Sequence, residues 1–246
     1  KRLAEMTMTM RPVDSPPEAP MHMQTWPESA RLNTGIYVQW SWIVTNNWLL
    51  KLSSRGDYYR DVLLSDVGNQ QLSVFYGDVP ETQNHFTKNL NVTSDLHLNK
   101  TTALVATLGY GERMPSTGEQ TGYYLYNAYD GFDYIGNPFL KPEKSTSARV
   151  GILWHNDRLK LNIDQTVSAI TNAILGKADT LIPPLNYGAK GTKRYVNAGA
   201  SLLYSGEANL LWEMSTALTV IEVMKFTYGQ FTTGDAMPML PPLKNV

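Results

Sequence analysis

From Thr34 to Asn46 the chain alternates with a period of two: Ile36, Val38, Trp40, Trp42 and Val44 share one parity, and Gly35, Tyr37, Gln39 and Ser41 the other. Successive side chains of an extended chain point to opposite sides, so this pattern predicts a strand with one apolar and one mostly polar face. Asn46-Asn47 interrupts it, and the pattern resumes with Trp48, Leu50 and Leu52 against Lys51, Ser53, Arg55 and Asp57. Two such runs joined by a two-residue break make a hairpin. The pattern returns with Leu90, Val92, Leu96 and Leu98 against Asn89, Asn91, Thr93, Asp95 and His97, a break at Asn99-Lys100, and a strand near 102–111. It returns again as Thr146, Ala148, Val150, Ile152 and Trp154 against Ser145, Ser147 and Arg149. After the break "HND" come Leu159, Leu161 and Ile163 against Lys160, Asn162 and Asp164. Further strands fit near 195–204 and 210–228, for about nine or ten strands in all.

The connections sort by length. "NN", "NK", "HND" and "SGEA" read as tight breaks on one side, whereas 111–144 is a long connection on the other. Short turns at one mouth and long loops at the other are the habit of an outer-membrane barrel. The polar faces carry Lys51, Arg55, Asp57, Asp95, Arg149, Lys160, Asp164 and Glu213, which suit a wet lumen. Trp48, Trp154 and Tyr204 stand near strand ends, where an interfacial aromatic girdle belongs. Alternation alone also fits a large soluble β-sandwich, and the absence of a fixed-period repeat argues against a propeller.

Composition narrows the choice. With 21 basic and 22 acidic residues the formal charge is −1, which lacks the electrostatic footprint of a nucleic-acid binder. No run of 18 apolar residues predicts a membrane-spanning helix, a test that barrel strands of about 10 alternating residues escape. The absence of cysteine removes disulfides, thiolate metal sites and a cysteine nucleophile. No nucleophile elbow, zinc-binding helix motif or phosphate loop occurs, so nothing supports an enzyme.

The long connection carries the most specific words of the sequence: "GYGERMPSTGEQ", then "GNPFLKPEKSTSARVGI". Gly109, Gly111, Arg113, Pro115, Ser116 and Glu119, followed by Asn137, Pro138, Leu140, Lys141, Pro142, Glu143 and Ser145, resemble the paired strand-ending and strand-opening segments of TonB-dependent outer-membrane receptors. Pro138 and Pro142 suit an extended lead into a strand, since proline gives no donor to a ladder. "TGIYVQWSWIVTNNWLLKLSSRGDYY" and "GDAMPMLPPLKNV" are similar to other segments of the same family. The resemblance implies an all-β, antiparallel transmembrane β-barrel, here a partial barrel without plug. On this resemblance residues 1–246 are expected to form part of the barrel domain, with the plug domain and last strands expected to be absent from this chain. Members have barrels of about 22 strands. The resemblance further implies import of a scarce nutrient across the bacterial outer membrane, with outer-membrane lipid, a metal ion or metal chelate, and the TonB complex as partners. TonB would act through the N-terminal part. No cofactor is implied, and the motif residues read as architecture.

A second feature bears on the cargo. Five of the ten methionines fall in "MTMTMRPVDSPPEAPMHM". On a strand Met6, Met8 and Met10 share a face, and Met21, His22 and Met23 lie within "PPEAPMHMQTWP", a stretch expected to be too broken by proline, Pro27 included, for a membrane-spanning strand. Thioethers with an imidazole are soft ligands that favour Cu(I) over hard cations, and some receptors of the resembled family look like copper transporters. Met6, Met8, Met10, Met21, His22 and Met23 are therefore the candidate metal-capture residues, with copper as cargo. A plain packing role for methionine, a siderophore or haem-iron cargo, and a passive porin are the alternatives. Met237 and Met239 read as ordinary loop residues, His97 and His155 as lumen hydrogen-bonders, and His85 as a lone loop residue.

Overall fold

A computed structural model describes residues 2–10, 21–233, 237 and 244–245. Ten strands form one antiparallel sheet: β1 (Arg2–Met10), β2 (Met21–Thr45), β3 (Trp48–Leu63), β4 (Thr82–His97), β5 (Thr102–Arg113), β8 (Glu143–His155), β9 (Leu159–Thr171), β12 (Ser201–Ser215), β13 (Leu218–Phe231) and β14 (Lys244–Asn245). They stand side by side in chain order, with β1 at one edge and β14 at the other, so the wall is a barrel segment that does not close on itself. Four shorter strands, β6 (Leu125–Asn127), β7 (Phe132–Ile135), β10 (Ile174–Ala178) and β11 (Thr192–Asn197), make a second sheet in the order β10-β11-β7-β6. Two helices, α1 (Asp66–Tyr76) and α2 (Thr117–Thr121), lie in the connections.

The register shows why alternation was so legible. One hydrogen-bonded row runs Trp40, Leu52, Val92, Leu108, Ala148, Val167, Tyr204, Tyr228 across eight strands. Its neighbour runs Ser41, Lys51, Thr93, Thr107, Arg149, Thr166, Ser205, Thr227. The apolar row faces outward: Trp40 is 61% exposed and Leu108 65%. The polar row faces the concave side, where cations find carboxylates: Lys51 with Asp95 at 2.6 Å, Arg149 with Asp164 at 2.7 Å, Lys225 with Glu207 at 2.8 Å. Apolar outside and charged inside is the arrangement of a lipid-embedded wall around a wet lumen. Glu222, opposite Leu210, is the one charged residue among the described outward positions close to the tight turns.

The rows also climb. Trp40 lies six residues before Asn46 of the first tight turn, whereas Tyr204, in the same row, lies twelve before Thr216 of the last. Such stagger is the shear that a tilted barrel wall requires.

Four sequence expectations change. Met21 to Glu28 is strand, the first third of β2, paired with β1 through two register shifts. Proline is accommodated because Pro27 sits where the β1–β2 register shifts between Ala4 and Met6, a bulge that needs no donor. "SGEA" is no turn: β12 runs through it, and the reversal comes at Thr216-Ala217. A Cβ on Gly206 would lie 2.2 Å from the Phe226 ring, so this glycine makes room for a neighbour's aromatic side chain. The segment near 195–204 divides between β11 of the second sheet and β12 of the wall. His85 lies within β4.

Candidate functional site

Opposite the tight turns, the connections 64–81, 114–142 and 172–200 fold over the first part of β2 as a cap. The family-like words build its attachment to the wall. Gly109 and Gly111 end β5, where a Cβ would come within 2.7 Å of the Asn91 and Asn89 amide oxygens of β4. Ser116 then caps α2: its backbone N–H donates to Glu119 Oε2 at 2.7 Å while its hydroxyl accepts from Glu119 N at 3.2 Å. This reciprocal pair fixes the first turn of a helix too short to hold itself. Arg113 joins the two words by reaching Glu119 at 3.0 Å and Glu143 at 3.4 Å. Pro142 leads straight into β8 at Glu143, as expected.

Arg31 on β2 ties this connection to the wall. It pairs with Asp61 of β3 at 2.5 Å and donates to the Pro115 carbonyl at 2.7 Å and Gln120 Oε1 at 2.8 Å. Asp133, fully buried, staples the second long connection to the third: its carboxylate accepts from the backbone N–H of Leu185 (2.8 Å) and Asn186 (2.9 Å) and from Asn186 Nδ2 (2.7 Å). Neither residue stands out by local pattern, because each is defined by partners far away in sequence.

The core of the cap is small and aromatic. Met23, Tyr124 and Ile135 form its buried centre, with Phe75, Tyr76, Tyr123, Ile182 and Leu185 packed around them. Burial pushes the Tyr76 and Tyr124 hydroxyls up to about 12. On the far side of the second sheet a cavity of about 380 Å³ is lined by Tyr134, Tyr195, Lys193, Glu119, Glu143 and Met237, among others. The Lys193 ammonium sits 4.3 Å from the centre of the Phe132 ring and 2.7 Å from Asp130. Burial favours a neutral Asp130, but bonds from Lys193, Tyr134 and the Phe132 amide outweigh it and hold this carboxyl below its usual range.

The six candidate metal residues meet on one two-stranded ribbon. In the β1–β2 ladder Met8 stands opposite Met23, Thr9 opposite His22, and Met10 opposite Met21. Directly opposed positions of an antiparallel pair lie about 5 Å apart, so the register brings together methionines that the sequence separates by the 11–20 stretch. That stretch lies outside the described residues. Met6 is 48% exposed, and Met23 is 2% exposed against the aromatic core. For Met8, Met10, Met21 and His22 the structure describes the backbone only. His97 and His155 stand at strand ends beside tight turns. Met237 belongs to the cavity wall, and Met239 lies outside the described residues. Among the described residues no three His, Asp or Glu side chains gather as a metal-holding group.

The fold recurs in solved structures. The copper transporter OprC matches at 18% identity and a TM-score of 0.70, over 92% of this chain and 32% of that one. The ferric-catecholate import receptor Fiu from K12 E. coli matches at 13% identity and TM-score 0.60, over 92% and 33%. The ferric yersiniabactin uptake receptor FyuA from Yersinia pestis matches at 12% and 0.57, over 89% and 31%. The chain thus spans about a third of the length of these proteins, and at such identities the likeness is one of fold. No curated protein matches. The family model of the TonB dependent receptor-like β-barrel covers residues 10–245, and the chain belongs to that family.

Proposed function

We propose that this chain forms wall and extracellular cap of a receptor that imports copper or another soft metal ion across the outer membrane. The TonB complex would supply energy through a plug domain. The observation that supports this most is the β1–β2 register, which sets Met8 against Met23 and Met10 against Met21. Paired thioethers bind a soft monovalent ion and discriminate against hard cations such as Ca²⁺ or Mg²⁺. Exposed Met6 serves as the first contact, and Met23 as the inner position, reached when the aromatic core loosens. His22, opposite Thr9, falls at the alternate ladder position between the two methionine pairs. The work is capture and release, with no covalent step, and the likeness to a copper transporter agrees with it.

The test is Cu(I) binding and copper uptake by the complete receptor with Met6, Met8, Met10, Met21 and Met23 replaced by leucine. The expected result is weaker Cu(I) binding and lower copper uptake, since leucine offers no thioether. Unchanged affinity in a folded variant would remove copper and leave the receptor assignment standing. A second reading, capture of an iron chelate, is favoured by the cavity beside Tyr134, Tyr195 and Lys193, whose rings and ammonium suit a planar anionic ligand. Iron-chelate uptake that survives loss of the methionines and fails in Lys193→Ala would select it.

A further inference from the structure

On the concave face Lys51, Arg149 and Lys225 are each paired with a carboxylate, Lys160 near a tight turn being the exception; on the outward face no described cation is paired. Among the described residues the outward strand positions hold three cations: Arg60 on β3, Lys88 on β4 and Lys144 on β8. All three are exposed, and none has a carboxylate within ion-pair distance. Glu112 stands between Lys88 and Lys144 in the ladder, yet it is engaged by the Tyr110 hydroxyl and, at 3.2 Å, by the Lys88 backbone N–H.

The three cations also share one height. Arg60 stands thirteen residues past Asn47, Lys88 eleven before Asn99, and Lys144 twelve before Asn156. In a tilted strand that is about 28 Å above the tight turns, just beyond the apolar band of about 25 Å that a barrel presents to lipid. Between this level and the turns the outward positions of β3, β4, β5 and β8 carry no charged residue. Tyr58, Phe86 and Tyr110 lie on the same face within one or two positions of the cations, and the Lys88 ammonium is 5.7 Å from the centre of the Tyr110 ring. Aromatic rings at that depth mark the boundary between hydrocarbon and headgroups.

We propose that Arg60, Lys88 and Lys144 form a cationic seat on the barrel's outer surface for the phosphate of an anionic lipid headgroup in the outer leaflet. Charges placed in water have no need of a common depth, whereas a row of headgroup phosphates imposes one. Unpaired cations at that depth are left free for lipid, and each removed should weaken retention about fivefold, the equivalent of about 1 kcal/mol per basic residue at a charged membrane surface. The proposal rests on the wall's placement in a membrane.

The experiment uses the complete receptor in vesicles of phosphatidylcholine with or without phosphatidylglycerol, followed by native mass spectrometry of retained lipid. The unaltered receptor is expected to retain phosphatidylglycerol preferentially. The triple variant Arg60→Gln, Lys88→Gln, Lys144→Gln should lose that preference, and Arg60→Lys, Lys88→Arg, Lys144→Arg should keep it. Lys100→Gln, in a tight turn at the opposite mouth, should change nothing. Equal retention by the triple glutamine variant in a folded barrel would overturn the seat, as would an equal loss in Lys100→Gln. A receptor that stays in buffer without detergent would overturn the membrane placement itself.

Discussion

Gly151 stands directly opposite Asp164, and a Cβ on that glycine would lie 2.3 Å from the Asp164 carboxylate oxygen. The vacant side-chain position lets the carboxylate lie flat against the wall, where Arg149 Nε donates to it at 2.8 Å. Gly35 and Asp57 repeat the arrangement at 2.2 Å, with Arg55 as the cation. Alanine at Gly151 or Gly35 is expected to displace the carboxylate and cost about 1–3 kcal/mol. Denaturant unfolding in detergent measures it, and Gly199→Ala, with open space around it, is the control expected to show no such loss.

Arg31→Ala removes the ion pair with Asp61 and both bonds to the 114–142 connection at once. Because both partners of the pair are mostly buried, the expected cost is about 3–5 kcal/mol. Lysine is expected to recover little, since a point charge cannot reproduce a planar fork that serves three acceptors. Thermal unfolding of the two variants, compared with the unaltered protein, checks this.

Asp133→Asn keeps the size of the side chain and replaces one acceptor oxygen by a donor facing the amides of Leu185 and Asn186. Buried donors left facing donors cost about 1–3 kcal/mol each. Segment 179–191 should come loose from the cap before the wall is affected. Limited proteolysis would show faster cleavage there, with the barrel band unchanged.

The cap should also be alkali-sensitive. Burial holds Tyr76 and Tyr124 neutral, raising them from 10.0 to about 12. A hydroxyl whose folded-state value is raised contributes stability that is complete below about pH 10 and falls away as the pH climbs toward 12. Tyrosinate absorbance is expected to lag behind that of the unfolded chain in this window. The lag should shrink on Tyr124→Phe.

What was legible in the sequence was whatever repeats locally. Trp40, Leu52, Val92 and Leu108 advertise a half-buried strand without any partner being known, and Pro138, Pro142 and Glu143 mark where β8 begins. Gly206 misled because a glycine that clears space for Phe226 looks the same, in one dimension, as a glycine that turns the chain. Pro27 misled for the converse reason: its place at a register shift is a property of the pairing with β1. The clustering of methionines was visible, but the opposition of Met8 to Met23 needed the ladder. Arg31 and Asp133 owe their roles to partners more than fifty residues away, which no window on the chain displays.

The climb of the hydrogen-bonded rows has a practical corollary. Trp40 and Tyr204 belong to one row yet sit at different distances from the inner mouth, so ladder partners and residues at equal depth are different sets, as threads and latitudes differ on a screw. Cross-links designed between facing residues would trace a helix around the wall, and a ring of probes at one level must step to a new ladder at each strand.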